Sequence, residues 1–277
     1  MTLRWQPTAN CRYETLGADT ASSCGTVITS SASANNKGSW VDIGSTTSFP
    51  YHILIVGIGG TTAAANYLVD IGINVSGSRF TIVSNLRIPA LKGGNSRGGG
   101  LPVLPLHVPA GSQLSARCSA STGSSSAHVT ITGGSTGFGG MPGYSRCVAF
   151  FTATSCRGPE ADPSTANTKT AFRQSDSSTS DLAHALMFAV GPYTETTRTA
   201  ARDYLLDVAI GGAGSEAVIV ANIPFKQDAD GDAPLPTYFG PVPIMIPAAT
   251  RLSYRCQTSD STSGERQVDV AFWGFVP

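Results

Sequence analysis

Apolar and polar positions alternate along this chain in short runs, rich in β-branched residues and bounded by Gly, Pro, Ser and Asn. A period of two predicts half-buried strands, because successive side chains of a strand face opposite ways. Helical periodicity is nearly absent; the best candidate, the Thr/Ala run at residues 61–67, would make one turn or a loop. The pattern predicts strands over residues 27–31, 38–43, 52–59, 66–73, 79–86, 103–108, 113–120 and 127–132. It predicts a second set over 148–154, 169–174, 183–190, 203–210, 216–223, 242–246, 251–258 and 267–275.

The second set repeats the first. Tyr67-Leu68-Val69-Asp70-Ile71 returns as Tyr204-Leu205-Leu206-Asp207-Val208, an offset of 137 (204 − 67). Leu114-Ser115-Ala116-Arg117-Cys118 returns as Leu252-Ser253-Tyr254-Arg255-Cys256, an offset of 138 (252 − 114), each preceded by a hydrophobic-Pro-Ala step. Asn35-Asn36-Lys37 with Trp40 returns as Asn167-Thr168-Lys169 with Phe172, an offset of 132 (167 − 35). A period this long is that of a whole domain, not of a solenoid repeat or propeller blade. The chain is therefore expected to be all-β, with two tandem duplicated antiparallel β-sandwich domains of jelly-roll type, eight strands each; fewer, merged strands would make an immunoglobulin-like sandwich instead. The expected divisions are an N-terminal arm (1–24) carrying a strand near 11–14, a first sandwich (25–132), a Gly-rich linker (133–146) and a second sandwich (147–277).

Alternation also assigns faces. Leu114, Ala116 and Cys118 share an apolar face, as do Leu252, Tyr254 and Cys256, so Arg117 and Arg255 should point outward. Solvated arginines are expected there, with pairing to a neighbouring carboxylate as the other option. The Pro-rich runs at 101–106 and 240–244 suit edge strands, since proline cannot donate to a ladder.

Hydrophobic residues at 41% can fill both cores, while charged residues at 13% are about half the usual share. The formal net charge of zero and the lack of a Lys/Arg cluster argue against nucleic acid as a partner. No apolar run approaches the roughly 20 residues of a membrane span. The opening Met1-Thr2-Leu3-Arg4-Trp5 lacks a secretory apolar stretch, so synthesis in the cytoplasm is expected.

Six cysteines follow the repeat: Cys24 with Cys156, Cys118 with Cys256, and Cys11 with Cys147 as a looser pair. No C-x-x-C occurs, which disfavours zinc. Buried thiols and disulfides both remain open; a pairing preserved on exchange of the units would join Cys24 to Cys118, Cys156 to Cys256 and Cys11 to Cys147. Asp228, Asp230 and Asp232 resemble the opening of a calcium loop, but Ala233 stands where the turn glycine belongs and Phe239 where the bidentate glutamate would be. A solvated acidic loop is the expectation. His52, His107, His128 and His184 have no nucleophile motif near them, and no Gly-x-Ser-x-Gly or P-loop occurs. No enzyme activity and no cofactor are expected.

The order of soft motifs carries a resemblance. Asn36-Lys37-Gly38-Ser39-Trp40 leads through Ile53-Leu54-Ile55-Val56 to the Tyr-Leu-hydrophobic-Asp step, then a Pro-rich strand, Ile-Pro-Ala and Leu-Ser-x-Arg. Gly214-Ser215-Glu216 precedes Val218-Ile219-Val220 in the second unit, whereas Arg79 stands in place of the glutamate in the first. This progression resembles virion structural proteins of tailed bacteriophages that carry tandem sandwich modules. The resemblance implies a non-enzymatic virion protein in many copies on head, neck or tail (decoration, collar or tail accessory), a homo-oligomer with other virion proteins as partners. The alternatives are a tail protein binding a host glycan or receptor, through aromatic loops such as Pro236-Thr237-Tyr238-Phe239, and a glycan-degrading enzyme.

Overall fold

The computed structural model describes residues 12–18, 25–63, 65–75, 77–88, 102–136, 143–192, 201–227, 237–260, 262 and 266–277. It is all-β, with eighteen strands among the described residues and nine from each half of the chain. In the first unit β1 (Tyr13–Leu16) and β2 (Thr26–Thr29) both pair with β9 (Ser126–Gly134), which continues to β4 (Ile53–Thr61) and β7 (Val103–Leu104). The facing sheet runs β3 (Val41–Asp42), β8 (Gln113–Ala120), β5 (Tyr67–Val75), β6 (Ser78–Ile88). This is the strand order of a jelly roll.

The second unit repeats it strand for strand. β10 (Arg146–Ala149) and β11 (Glu160–Ala161) pair with β18 (Val268–Val276), followed by β13 (Ala185–Pro192) and β16 (Thr237–Val242). The facing sheet runs β12 (Arg173–Asp176), β17 (Leu252–Thr258), β14 (Arg202–Ile210), β15 (Ala217–Gln227). Leu114, Ala116, Cys118, Leu252, Tyr254 and Cys256 are all fully buried, as alternation requires.

The two units share a sheet. β10 pairs antiparallel with β18 and parallel with β6, at Cys147 opposite Val83, so strands of both units form one nine-stranded sheet. The first core accordingly continues into Cys147, Phe151, Trp273 and Phe275 of the second unit. Trp273 Nε1 donates to Ser84 O at 3.0 Å, and Ser84 Oγ accepts the Ala149 amide at 2.7 Å.

Some expected boundaries move. β9 runs through Gly133 and Gly134, which the sequence assigns to the linker. A Cβ at Gly133 would overlap the Tyr51 ring, and one at Gly134 would crowd Ile53 and Tyr13, so these glycines permit close packing rather than flexibility. The strand expected in the arm near 11–14 is β1, two residues further on and paired along β9. The Pro-rich runs do end their sheets as β7 and β16. β7 is shorter than the hydrophobic pattern implies and β16 lies ahead of the expected 242–246, because Pro105 and Pro243 stop the ladders and leave isolated bridges at Leu106, Val108 and Ile246. β11, two residues long, has no signal in the pattern.

Candidate functional site

Each unit contains the same buried polar cluster, built around the aspartate of the Tyr-Leu-hydrophobic-Asp step. In the first, β5 and β6 slip register at a bulge between Val69 and Ile71. Asn85 on the facing strand sits at φ 51°, a left-handed value that asparagine tolerates. The bulge withdraws the Asn85 amide from the ladder, and Asp70 Oδ1 accepts it at 2.8 Å. Lys37 Nζ donates to the same oxygen at 2.9 Å and to Leu68 O at 3.1 Å. Arg117, directly across the β5–β8 ladder, donates Nε to Asp70 Oδ2 at 2.9 Å, and its guanidinium lies 4.5 Å from the Trp40 ring centre.

The second unit reproduces every contact. Asp207 accepts Lys169 Nζ at 2.8 Å, the Asn222 amide at 2.8 Å and Arg255 Nε at 2.8 Å. Lys169 also donates to Leu205 O at 3.2 Å, and Arg255 lies 4.6 Å from the Phe172 ring centre. Asn222 has φ 53°. Burial acts to raise the Asp207 carboxyl, but the bonds from Lys169, the Asn222 amide and Arg255 outweigh it and hold it below the ordinary value. Burial pulls the Lys37 ammonium down, and Asp70 opposes that pull. The expectation that Arg117 and Arg255 are solvated is corrected: both point outward yet are bound to a carboxylate and stacked on an aromatic ring. All three charged residues and the aromatic recur at the repeat offsets, and that recurrence was the available signal for the cluster.

A different polar set lies where the units meet. Arg87 of β6 pairs with Asp269 of β18 at 2.8 Å, both essentially without solvent exposure. Burial pushes the Asp269 carboxyl up, and Arg87 and the Gly158 amide, 3.0 Å from Oδ2, oppose that. A Cβ at Gly191 would overlap the Arg87 guanidinium, so glycine is required there. Tyr238 donates its hydroxyl to Arg87 O. Beside this pair, residues 154–157 make a tight turn closed by reciprocal Thr154–Arg157 backbone bonds, with Ser155 and Cys156 both at positive φ (49° and 57°). The turn enters a groove in the first unit. Cys156 Sγ lies 3.4 Å from Ser119 Oγ and 3.6 Å from Asn35 Oδ1, and, with the Asn66 amide turned so that its oxygen faces the guanidinium, Arg157 Nη2 and Nε donate to that oxygen at 2.8 and 2.5 Å.

Cys118, Cys147, Cys156 and Cys256 are buried free thiols. The expected Cys156–Cys256 pairing is corrected: Cys156 lies in the first unit's groove and Cys256 in the second unit's core. Burial pushes the Cys118 and Cys256 thiols up to about 12, so neither is a nucleophile at neutral pH. The free thiols at Cys118 and Cys147 likewise remove the partners expected for Cys24 and Cys11, which lie outside the described residues. Asp228, Asp230 and Asp232 also lie outside them. His52 and His107 rings are 5.2 Å apart, while His128 sits in β9 and His184 precedes β13. Among the described residues no three His, Cys, Asp or Glu side chains converge as a metal site would. Of the aromatic loop proposed to contact sugar, Tyr238 is engaged by Arg87 and Phe239 stacks on Phe188 at 5.0 Å; Pro236 is outside the described residues.

No family model matches the chain, and no curated protein matches it. Among solved structures it is similar to PNGase F, a glycosylasparaginase from Flavobacterium meningosepticum, at 8% identity over 96% of each chain, with a TM-score of 0.38. It is similar to the CBM22-1–CBM22-2 tandem domain of Paenibacillus barcinonensis Xyn10C at 11% identity, over 99% of this chain and 94% of that one, with a TM-score of 0.22. Likenesses at these scores carry no functional argument.

Proposed function

We propose that this chain is a non-enzymatic structural protein of a phage virion, assembling in multiple copies on the head, neck or tail. The observation that carries this reading is the joint between its halves. A duplicated jelly roll is fused to its own copy through edge strands, so that one sheet passes from unit to unit. A module that buries its edge against a second copy of itself is suited to tiling. The buried charges support the same reading, because Asp70, Asp207 and Asp269 are each spent on fixing backbone or joining strands. The weakly charged composition suits surfaces that pack against neighbours rather than float in solvent.

Quantitative mass spectrometry of purified particles tests this. Copies in the hundreds per particle are expected for a head coat or decoration role, and a handful for a tail position. Absence from purified particles would overturn the reading.

A further inference from the structure

The joint inside the chain has two faces. The receiving face belongs to the first unit: the outer edge of β6 and the groove formed by Asn35, Asn66, Leu68 and Ser119. The inserting face belongs to the second: β10 and the turn at residues 154–157. Because the units are duplicates, each face has a counterpart at the other end of the molecule.

The counterpart of β6 is β15, which ends its sheet and pairs with β14 alone among the described residues. Beside it is an open cavity of about 410 Å³ lined by Asn167, Asp203, Leu205, Pro224 and Gln257. These stand at the repeat offsets from Asn35, Asn66, Leu68, Arg87 and Ser119, the residues that hold the second unit against the first. Asn35 and Asn167 share a left-handed φ (64° and 57°) and the same bond, from their amides to Ala120 O and Thr258 O. Thus the cavity is the first unit's groove without an insert.

Burial agrees. Under the joint, Ile82, Val83 and Leu86 of β6 are at most 4% exposed. Their counterparts Ile219, Val220 and Ile223 on β15 are only half-buried, and Val218 beside them is 41% exposed. An apolar edge strand left open in this way is a template for pairing.

The counterpart of β10 is β1, which pairs with β9 as β10 pairs with β18 (Tyr13 with Gly134, Cys147 with Phe275) and ends its sheet. The counterpart of the inserted turn is in the sequence: Ala153-Thr154-Ser155-Cys156 repeats Ala21-Ser22-Ser23-Cys24, an offset of 132 (156 − 24). Residues 21–24 lie outside the described residues.

We propose that β15 and the groove beside it receive β1 and residues 22–24 of a second copy of this chain, repeating between molecules the joint made within each one. The contact is heterologous, head to tail, so it generates a ring or an open filament of jelly rolls rather than a two-fold dimer. The charged contacts of the internal joint are not repeated: Pro224 stands for Arg87 and His128 for Asp269, and Arg157 has no counterpart, since Gly25 and Gly158 hold the same place against Val129 and Val270. The joint between copies is therefore the weaker, reversible one. This deepens the assembly reading above, and the two fail separately: particle content is counted by mass spectrometry, and the joint is trapped in the isolated protein.

The trap is Gln257→Cys in the full chain, which places a thiol where Ser119 meets Cys156 in the internal joint. Diamide oxidises two adjacent thiols to a disulfide and is itself reduced to the hydrazine. The expected result is a ladder of dimers and higher multimers on non-reducing gels, with peptide mapping joining Cys24 to position 257. Adding Cys24→Ser should lower the cross-linked fraction at least tenfold. Links between two copies of position 257, links unaffected by Cys24→Ser, or no link at all would overturn the proposal. Sedimentation of the parent chain provides a second measurement that requires no variant: concentration-dependent growth beyond a dimer is expected, and a fixed monomer or a closed dimer would overturn the proposal.

Discussion

Asp207 Oδ1 accepts the backbone N–H of Asn222 at 2.8 Å across a bulge in the β14–β15 ladder, and Lys169 and Arg255 hold the carboxylate in place. Asp70 does the same for Asn85 in the other unit. The carboxylate is thus a backbone ligand, replacing a ladder bond that the bulge removes. The carboxylate offsets part of the charge of the two cations around it, so three ionic groups share one partly buried site in each unit.

Substituting Asp207→Asn should destabilise the fold by about 1–2 kcal/mol, since it weakens the bond to the Asn222 amide and leaves the half-buried Lys169 and Arg255 without a full counter-charge. Asp70→Asn should cost a similar amount. Urea unfolding of each variant checks this, and equal losses would show that the duplicated cluster serves the same purpose twice.

The acid limb of stability should carry the same signature. The Asp207 carboxyl is held below its ordinary value of 3.8 in the folded chain, so its contribution is complete above that value. It is lost as pH falls through the lower, folded value. In urea titrations from about pH 6 to about pH 2, Asp207→Asn should show a shallower loss of stability below about pH 4 than the parent.

The Arg87–Asp269 pair is buried on both sides and joins the two units. Arg87→Ala should cost about 3–5 kcal/mol by leaving Asp269 buried without its partner. Replacing both, Arg87→Met with Asp269→Leu, should recover most of that loss. Thermal unfolding followed by calorimetry separates the two outcomes.

Thiol chemistry checks the cysteine assignment. Cys118, Cys147, Cys156 and Cys256 should resist a thiol reagent in the native protein and react fully in denaturant. Peptide maps with and without reductant should be identical at these four positions.

Much of the fold was legible in the sequence, because strand alternation and the repeat point to the same architecture. The cysteine-bearing faces of β8 and β17 follow directly from period two. Two things were not legible. Bulges shift register without changing composition, so nothing marked Asn85 and Asn222 as amides needing a carboxylate. And pattern reading treats each sandwich alone, whereas the pairing of β10 with β6 depends on which edges meet in space. That pairing places Arg87 and Asp269 together across 182 residues of chain (269 − 87), a separation that no local motif reports.

The joint made once within the chain is proposed to recur between copies. Two variants, mixed, test this: Cys24→Arg, aimed at the inserting end, and Val220→Lys, aimed at the receiving edge. Sedimentation velocity should show each variant alone as a monomer at a concentration where the parent assembles, and their equimolar mixture as a one-to-one dimer that grows no further. A mixture that stays monomeric, or variants that assemble alone as the parent does, would contradict the account.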